Sequence, residues 1–199
     1  LTLPAACVGV AKKCMEISRV WANERVQWGV PVGKHEAVAT KMAMMASHTF
    51  AMEAATWYAT LLGDKGGADI RLEAAMAKYF ASEWLWTIVN ETLQIRGGRG
   101  YETAQSLKAR GETGYPVERM LRDSRINTII EGTSEIMHLF LAREALDPHM
   151  RIGGALINPK ASMSAKAQSL VNAGMFYTHW YPRQWLNLDL LGFYDELGY

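Results

Sequence analysis

The chain has 199 residues and a formal net charge of +1, with 49% hydrophobic and 21% charged residues. Those values fit a folded domain and exclude wholesale disorder. Near-neutral charge gives no field for general nucleic-acid binding. No apolar run reaches 18 residues, and no charged-then-apolar leader ends in a cleavage site, so neither a spanning helix nor a secretory signal is expected. A cytoplasmic or mitochondrial-matrix setting is the expectation. The two cysteines, Cys7 and Cys14, share one helix face and suit a reducing compartment. They are too few for a disulfide framework or a metal centre. The chain opens at Leu1 straight into an apolar pattern and ends close to Leu190, Leu191 and Phe193. Both ends are expected to belong to something longer.

Helical periodicity dominates from the start. Residues 4–28 open on Pro4 and repeat Val10, Cys14, Ile17 and Trp21 at three- and four-residue steps, then stop at Gly29 and Pro31. Residues 34–62 carry Val38, Met42, Met45, Thr49 and Met52 on one face, with a break at Gly63, Asp64, Gly66 and Gly67. Asp69 can cap a third long helix with Ile70, Ala74, Ala77, Phe80 or Ala81, and Trp84 inside, ended by Gly97, Gly98 and Gly100. Residues 99–115 are polar and read as a loop. Pro116 opens a helix that reaches about Asn127, and Ile129 to Thr133 form a hinge. Thr133 or Ser134 caps a last core helix, 134–146, whose apolar face is Ile136, Leu139, Phe140 and Leu146. Asp147 and Pro148 are expected to end it. Residues 163–181 can be helical. Eight of the chain's 20 aromatic residues fall between 176 and 199, so that tail is expected to bury itself. No period-2 strand signal of any length appears.

Some residues invite chemistry. Glu131 lies between Ile130 and Gly132. An acid among apolar neighbours can lose hydration, which favours its protonated form and suits a general base near neutral pH. Gly132 permits close approach of a substrate, and Thr133 stands at a helix N-terminus. A simple hinge with a first-turn acid explains the same residues. Gly97, Gly98 and Gly100 after Gln94 could cradle a phosphate or merely end a helix. Arg25, Trp28 and Gly29 could hold a nucleotide or staple a turn. His35-Glu36 lacks the second histidine of a zinc helix, and Met42, Met44 and Met45 read as core filler.

Three segments together change the balance. Arg25-Val-Gln-Trp-Gly-Val-Pro-Val, Gln94-Ile-Arg-Gly-Gly-Arg-Gly-Tyr, and Pro116-Val-Glu-Arg-Met-Leu-Arg-Asp running on to Glu131-Gly-Thr-Ser-Glu-Ile resemble the three signatures of acyl-CoA dehydrogenase C-terminal domains. The likeness covers residues 1 to about 147. The tail from 148 resembles the start of the additional C-terminal segment of the very-long-chain branch. The resemblance implies an all-α fold, an up-down helical bundle of four to five helices over 1–147, followed by a short helical extension over 148–199. It implies the last domain of a three-domain flavoenzyme.

It implies a reaction as well. A base takes the α-proton of an acyl-CoA thioester while a hydride leaves the β-carbon for FAD, giving a trans-2-enoyl-CoA, and electrons pass to an electron-transfer flavoprotein. Glu131 matches the base used by most branches; a minority place it on an upstream helix. Gly132 matches the substrate site. Thr133 and Glu135 match flavin contacts within one subunit. Arg25, Trp28, Gln94, Gly97 and Gly98 match contacts to the dinucleotide of a neighbouring subunit, which implies a homodimer or homotetramer. The sister reading is an acyl-CoA oxidase. The reading from another class is a helical scaffold without chemistry. The tail's likeness extends the expectation to a membrane surface. Three features depart from the pattern. Trp28 replaces a phenylalanine, Glu36 replaces a common glutamine, and the stretch from Tyr101 to Tyr115 is roughly ten residues long beyond the pattern, a tolerable loop insertion. Arg99, Lys108 and Arg110 in that stretch are weak candidates for phosphate contact.

Overall fold

A computed structural model describes residues 1–67 and 69–185, with side chains to 182. The described residues are helical apart from one small hairpin and its connections. Helix α1 spans Thr2–Glu24, α2 Glu36–Lys65 and α3 Arg71–Arg96. Two short helices follow, α4 Gly98–Tyr101 and α5 Ala104–Ala109, then α6 Val117–Arg125, α7 Ser134–Ile157 and α8 Met163–Trp185. The chain divides into two compact units, one from Leu1 to His138 and one from Leu139 onward.

In the first unit α1, α2 and α3 pack on one another and α6 packs on α3. The reason is visible in the buried positions. On α1 they are Pro4, Cys7, Val8, Ala11, Cys14, Ile17, Ser18 and Ala22, one stripe at helical spacing. On α2 they are Met45, Thr49, Met52, Thr56 and Ala59, in alternating four- and three-residue steps. The seam between α1 and α3 sets small side chains of α1 against a row of small and large ones on α3. Ala11, Cys14 and Ser18 belong to it on one side, and Ala81, Leu85, Ile88 and Thr92 on the other. The buried Ser18 hydroxyl donates to Thr92 Oγ1 at 3.3 Å, and Thr92 donates on to the Ile88 carbonyl at 2.8 Å. Each buried hydroxyl thereby keeps a partner. The expected faces hold: Cys14, Ile17, Met45, Thr49, Met52, Ala77 and Ala81 are buried, while Val10, Trp21, Val38, Met42, Phe80 and Trp84 flank the core.

Several expectations change. Helix α2 runs through Gly63 and Asp64 and ends only where Gly66 turns left-handed, at φ +70°. Gly63 is useful inside the helix, because Ile70 Cδ1 lies 3.1 Å from where a Cβ would stand. Asp69 does not cap α3 at its first residue; Ile70 holds that place, and Asp69 accepts from the Arg71 amide at 3.2 Å. Two strands do occur, Val26–Gln27 (β1) and Val30–Pro31 (β2), too short for any periodicity to reveal. The stretch 99–115 contains α4 and α5. Thr103 caps α5 through the Ser106 amide at 3.2 Å, and Leu107 anchors it at 0% exposure. One apolar residue in a polar stretch gives no sequence pattern. Pro116 is the residue before α6, not its first.

Helix α7 does not stop at Pro148. An interior proline costs a helix about 3 kcal/mol, and the second unit supplies contacts beyond it. His149 Nδ1 meets the Tyr177 hydroxyl at 2.9 Å, and Ser169 Oγ donates to the Ile152 carbonyl at 2.5 Å. Phe176, Tyr177, Trp180 and Tyr181 gather with the His149 ring, so part of the aromatic tail packs on α7. Phe193, Tyr194 and Tyr199 lie outside the described residues. The expected inner face of α7 is uncovered: Ile136, Leu139 and Leu146 are exposed, and no α7 residue is buried. Among the described residues no helix is long and apolar enough to cross a membrane.

Cys7 and Cys14 are free and buried, and burial pushes both thiols up to about 11. Both should resist a disulfide-exchange reagent at pH 8 until denaturant opens the bundle; fast labelling of the native protein would contradict this core. Leu85→Ala should cost about 2–5 kcal/mol in urea unfolding, because α1, α3 and their small neighbours cannot collapse into the void.

Candidate functional site

The sequence candidates fall into two groups, one near each end of α3. The first lies around the turn that precedes α7. After α6 a 3-10 turn covers Ile126–Thr128, and the amides of Ile129 and Ile130 both bond the Ile126 carbonyl at 2.9 Å. Glu131 follows with φ +55° and Gly132 with φ +98°. A left-handed glutamate costs about 1–2 kcal/mol, so other contacts must hold the turn. Thr133 then caps α7, its hydroxyl accepting from the Ile136 amide at 3.4 Å.

Helix α3 supplies the hold. The Lys78 ammonium donates to the Gly132 carbonyl at 2.5 Å, although Lys78 is only 5% exposed. The Ser134 hydroxyl donates to the Glu83 carboxylate. The Tyr79 ring meets the His138 ring edge-on, with centroids 4.6 Å apart. Arg125, from α6, closes the preceding loop by donating to Thr128 Oγ1 at 2.7 Å. Glu131 itself is exposed, and Ile129 and Ile130 are 47% and 42% exposed. The apolar enclosure expected around Glu131 is therefore not formed by the described residues; its neighbours face outward with it. The Glu135 carboxyl is held below the usual carboxylate range by its own backbone amide and by the Thr133 hydroxyl.

The second group lies where α1 ends and α3 ends. Val26 pairs with Pro31 and Gln27 with Val30, so Trp28-Gly29 is a two-residue hairpin loop. Both loop residues are left-handed, φ +50° and +82°, as the right-handed twist of a tight hairpin requires. Glycine takes this easily and tryptophan does not. Trp28 is nevertheless 91% exposed, touched by the His35 ring edge at 5.5 Å. A large ring is thus held outward at a conformational cost. At the end of α3, Gly97 turns left-handed at φ +58°, with its amide on the Gln94 carbonyl at 3.1 Å. Gln94, Gly97 and Gly98 are exposed, and nothing lies within 4 Å of where a Cβ would stand on either glycine. Gly100 differs: a Cβ there would stand 2.5 Å from the Leu93 carbonyl oxygen.

Arg96, which the sequence did not point to, joins these pieces. The Arg25 and Arg96 guanidinium groups both lie over the Trp21 ring, at 5.9 and 4.9 Å, and Arg96 also stands 5.2 Å from the Tyr115 ring. Arg96 is 5% exposed and its Nε has no partner among the described residues. An arginine directly before a glycine turn, with aromatics at two distant motifs, was a readable signal in hindsight; a lysine inside the apolar face of α3 was another. Arg99 and Arg110 are engaged by Glu112 and Glu102, Arg99 Nε lying 2.9 Å from Glu112 Oε1 and Arg110 Nη2 lying 2.6 Å from Glu102 Oε2. Their charge is neutralised within the insertion, which weakens them as phosphate contacts.

The two groups do not meet in one chain. Lys78 and Arg96 are separated by 18 residues of one helix, about 27 Å along its axis.

The comparisons with known proteins agree with this frame. The model of the acyl-CoA dehydrogenase C-terminal domain matches residues 1–146. A Mycobacterium tuberculosis protein named "Probable acyl-CoA dehydrogenase FadE10" is 52% identical over 183 residues, covering 92% of this chain and 28% of its own length. The mitochondrial very long-chain specific acyl-CoA dehydrogenase of Bos taurus is 34% identical over 161 residues, covering 79% of this chain and 23% of its own. Matches this long take in part of the segment beyond residue 146. Butyryl-CoA dehydrogenase from Megasphaera elsdenii superposes with a TM-score of 0.64 at 28% identity, over 72% of this chain and 35% of that one. The chain belongs to the acyl-CoA dehydrogenase family, an oxidoreductase family, and carries its C-terminal helical domain. It spans about a quarter to a third of the length of these relatives.

Gly100→Ala should disrupt the turn after α3, since backbone rather than a flexible side chain stands in the way. Thermal unfolding should fall by several degrees, whereas Gly98→Ala, with open space at its Cβ, should fall much less. Equal melting of the two variants would contradict the packing described.

Proposed function

We propose that this chain is the C-terminal part of an FAD-dependent acyl-CoA dehydrogenase that oxidises acyl-CoA thioesters to trans-2-enoyl-CoA, with Glu131 as the base. The observation that carries the reading is the turn at Glu131. A carboxylate is presented outward from a costly left-handed backbone that α3 holds in place. Strained backbone kept at an exposed acid clusters at functional sites, which supports the reading. The bundle is assigned to 1–147 and the extension to 148–199.

Glu131 would take the α-proton and retain it on its carboxylate. Its backbone amide would support the developing charge on the thioester oxygen. Gly132 would line the substrate site; glycine is needed there because a Cβ would stand 3.2 Å from Met137 Cε and the backbone angle strains any side chain. FAD, when bound, would supply the acceptor for the β-hydride. The residues fit such a group. Thr133 and Glu135 stand at the start of α7 for the flavin side. Trp28 offers a flat ring, Gly97 and Gly98 offer bare backbone next to Gln94, and Arg25 offers a cation over the Trp21 ring, for the dinucleotide side. The separation of about 27 Å along α3 supports assigning the second group to the FAD of another copy, hence a homodimer or homotetramer. The exposed apolar face of α7 supports the same reading. Electrons would leave to an electron-transfer flavoprotein.

Glu131→Gln in the flavin-loaded full-length protein should lower the anaerobic rate of flavin reduction by acyl-CoA by at least about 10³-fold while acyl-CoA still binds. Retained reduction would remove Glu131 as the base. Reduced flavin that returns rapidly with oxygen alone would favour the oxidase reading.

A further inference from the structure

Lys78 stands where a lysine is costly. It lies on the buried side of α3 at 5% exposure, and nothing in the proposed reaction uses its nitrogen. A buried ammonium persists only where strong partners replace its water. Its partner is the Gly132 carbonyl at 2.5 Å, 54 residues away in sequence. The charged and titratable groups that face it are the Glu131 carboxylate on the turn, the Glu83 carboxylate on α3 and the Cys7 thiol on α1. Burial pushes the ammonium's pKa down, and the two carboxylates oppose that fall. Glu83 is itself committed to the Ser134 hydroxyl, so the same helix grips the chain on both sides of Thr133.

The carbonyl that Lys78 holds belongs to the residue directly after Glu131. Two consecutive left-handed residues, at φ +55° and +98°, set where the Glu131 side chain leaves the turn. A rotation of the Gly132–Thr133 peptide, whose carbonyl Lys78 holds, would shift the backbone at Gly132 and with it the Glu131 side chain just before it. Anchoring that carbonyl to a rigid helix restrains the rotation.

We propose that Lys78 is a positioning residue for the base: its ammonium, bonded to the Gly132 carbonyl, fixes the Glu131–Gly132 turn against α3 and so fixes the carboxylate that takes the α-proton. This rests on reading Glu131 as the base. Lys78 acts through Glu131 and its backbone.

The test uses the full-length flavin-loaded protein with Lys78→Met, which keeps an apolar stem and removes the cation. Stopped-flow measurement separates the rate of flavin reduction from the acyl-CoA dissociation constant. With flavin loading intact, the rate should fall on the order of 10- to 100-fold, the effect of displacing a reacting group by about an ångström, with the dissociation constant within about twofold. A role in packing alone would lower flavin loading and melting temperature and leave the rate of the loaded fraction unchanged; that result overturns the proposal. If Lys78→Met fails to load flavin, Lys78→Gln carries the test, since its amide is an uncharged donor one bond shorter. A fall of about 3- to 10-fold supports positioning, and a rate equal to the unsubstituted protein overturns it. Glu131→Gln run in parallel keeps the two readings apart. If it abolishes reduction while Lys78→Met does not slow it, the base stands and the positioning role falls. If Glu131→Gln reduces flavin normally, the base assignment falls, and the positioning role with it.

Discussion

Helix α3 is packed on α1, α2 and α6 at once, and both groups of candidate residues are attached to it. Its first half grips the turn before α7 through Lys78, Tyr79 and Glu83. Its last residue, Arg96, lies over the Trp21 ring of α1 and the Tyr115 ring that precedes α6. Packing on three helices at once makes α3 a rod with little freedom to shift. A loop anchored at a few points to such a rod can keep a strained conformation that it could not keep alone. Glu131 is kept in this way at an exposed place, whereas Trp28, also left-handed, sits on a hairpin held to the end of α1 by the Arg25 amide on the Trp21 carbonyl.

Much of the bundle was legible because burial follows helical spacing. The stripes on α1 and α2 are long and regular, and the residues read as inward there are inward or at the core's edge, whereas the face read as inward on α7 is exposed. Glycines and prolines misled in two places. Gly63 was read as a break, yet it sits inside α2, where its missing side chain admits Ile70. Pro148 was read as a stop, yet contacts from α8 to His149 and Ile152 carry α7 past it. Local propensity was right in kind in both cases and was outweighed by packing. The hairpin at Val26–Pro31 and the helix around Leu107 are too short for any pattern to announce.

The site was legible as motifs but not as mechanics. Glu131, Gly132, Thr133 and Glu135 lie within five consecutive residues, so any reading that found one found all. The desolvation expected for Glu131 came from sequence neighbours, Ile129 and Ile130, which in this chain point outward with it. Neighbours in sequence do not make an enclosure; that requires surfaces from elsewhere, and the uncovered faces of α7 and the hairpin are where such surfaces would fit. Lys78 and Arg96 escaped notice because charged residues on helices are ordinarily solvated. Their burial becomes visible only when the partner 54 residues away, or the ring on another helix, is placed beside them.

The proposed acyl-CoA oxidation at a flavin meets its most direct test in anaerobic addition of acyl-CoAs of graded chain length to the purified full-length protein, following the visible band of oxidised flavin. The expected result is a bound flavin that at least one acyl-CoA bleaches. A bound flavin that no acyl-CoA bleaches would contradict the substrate class, and a protein that binds no flavin would leave the helical frame without the chemistry proposed for it.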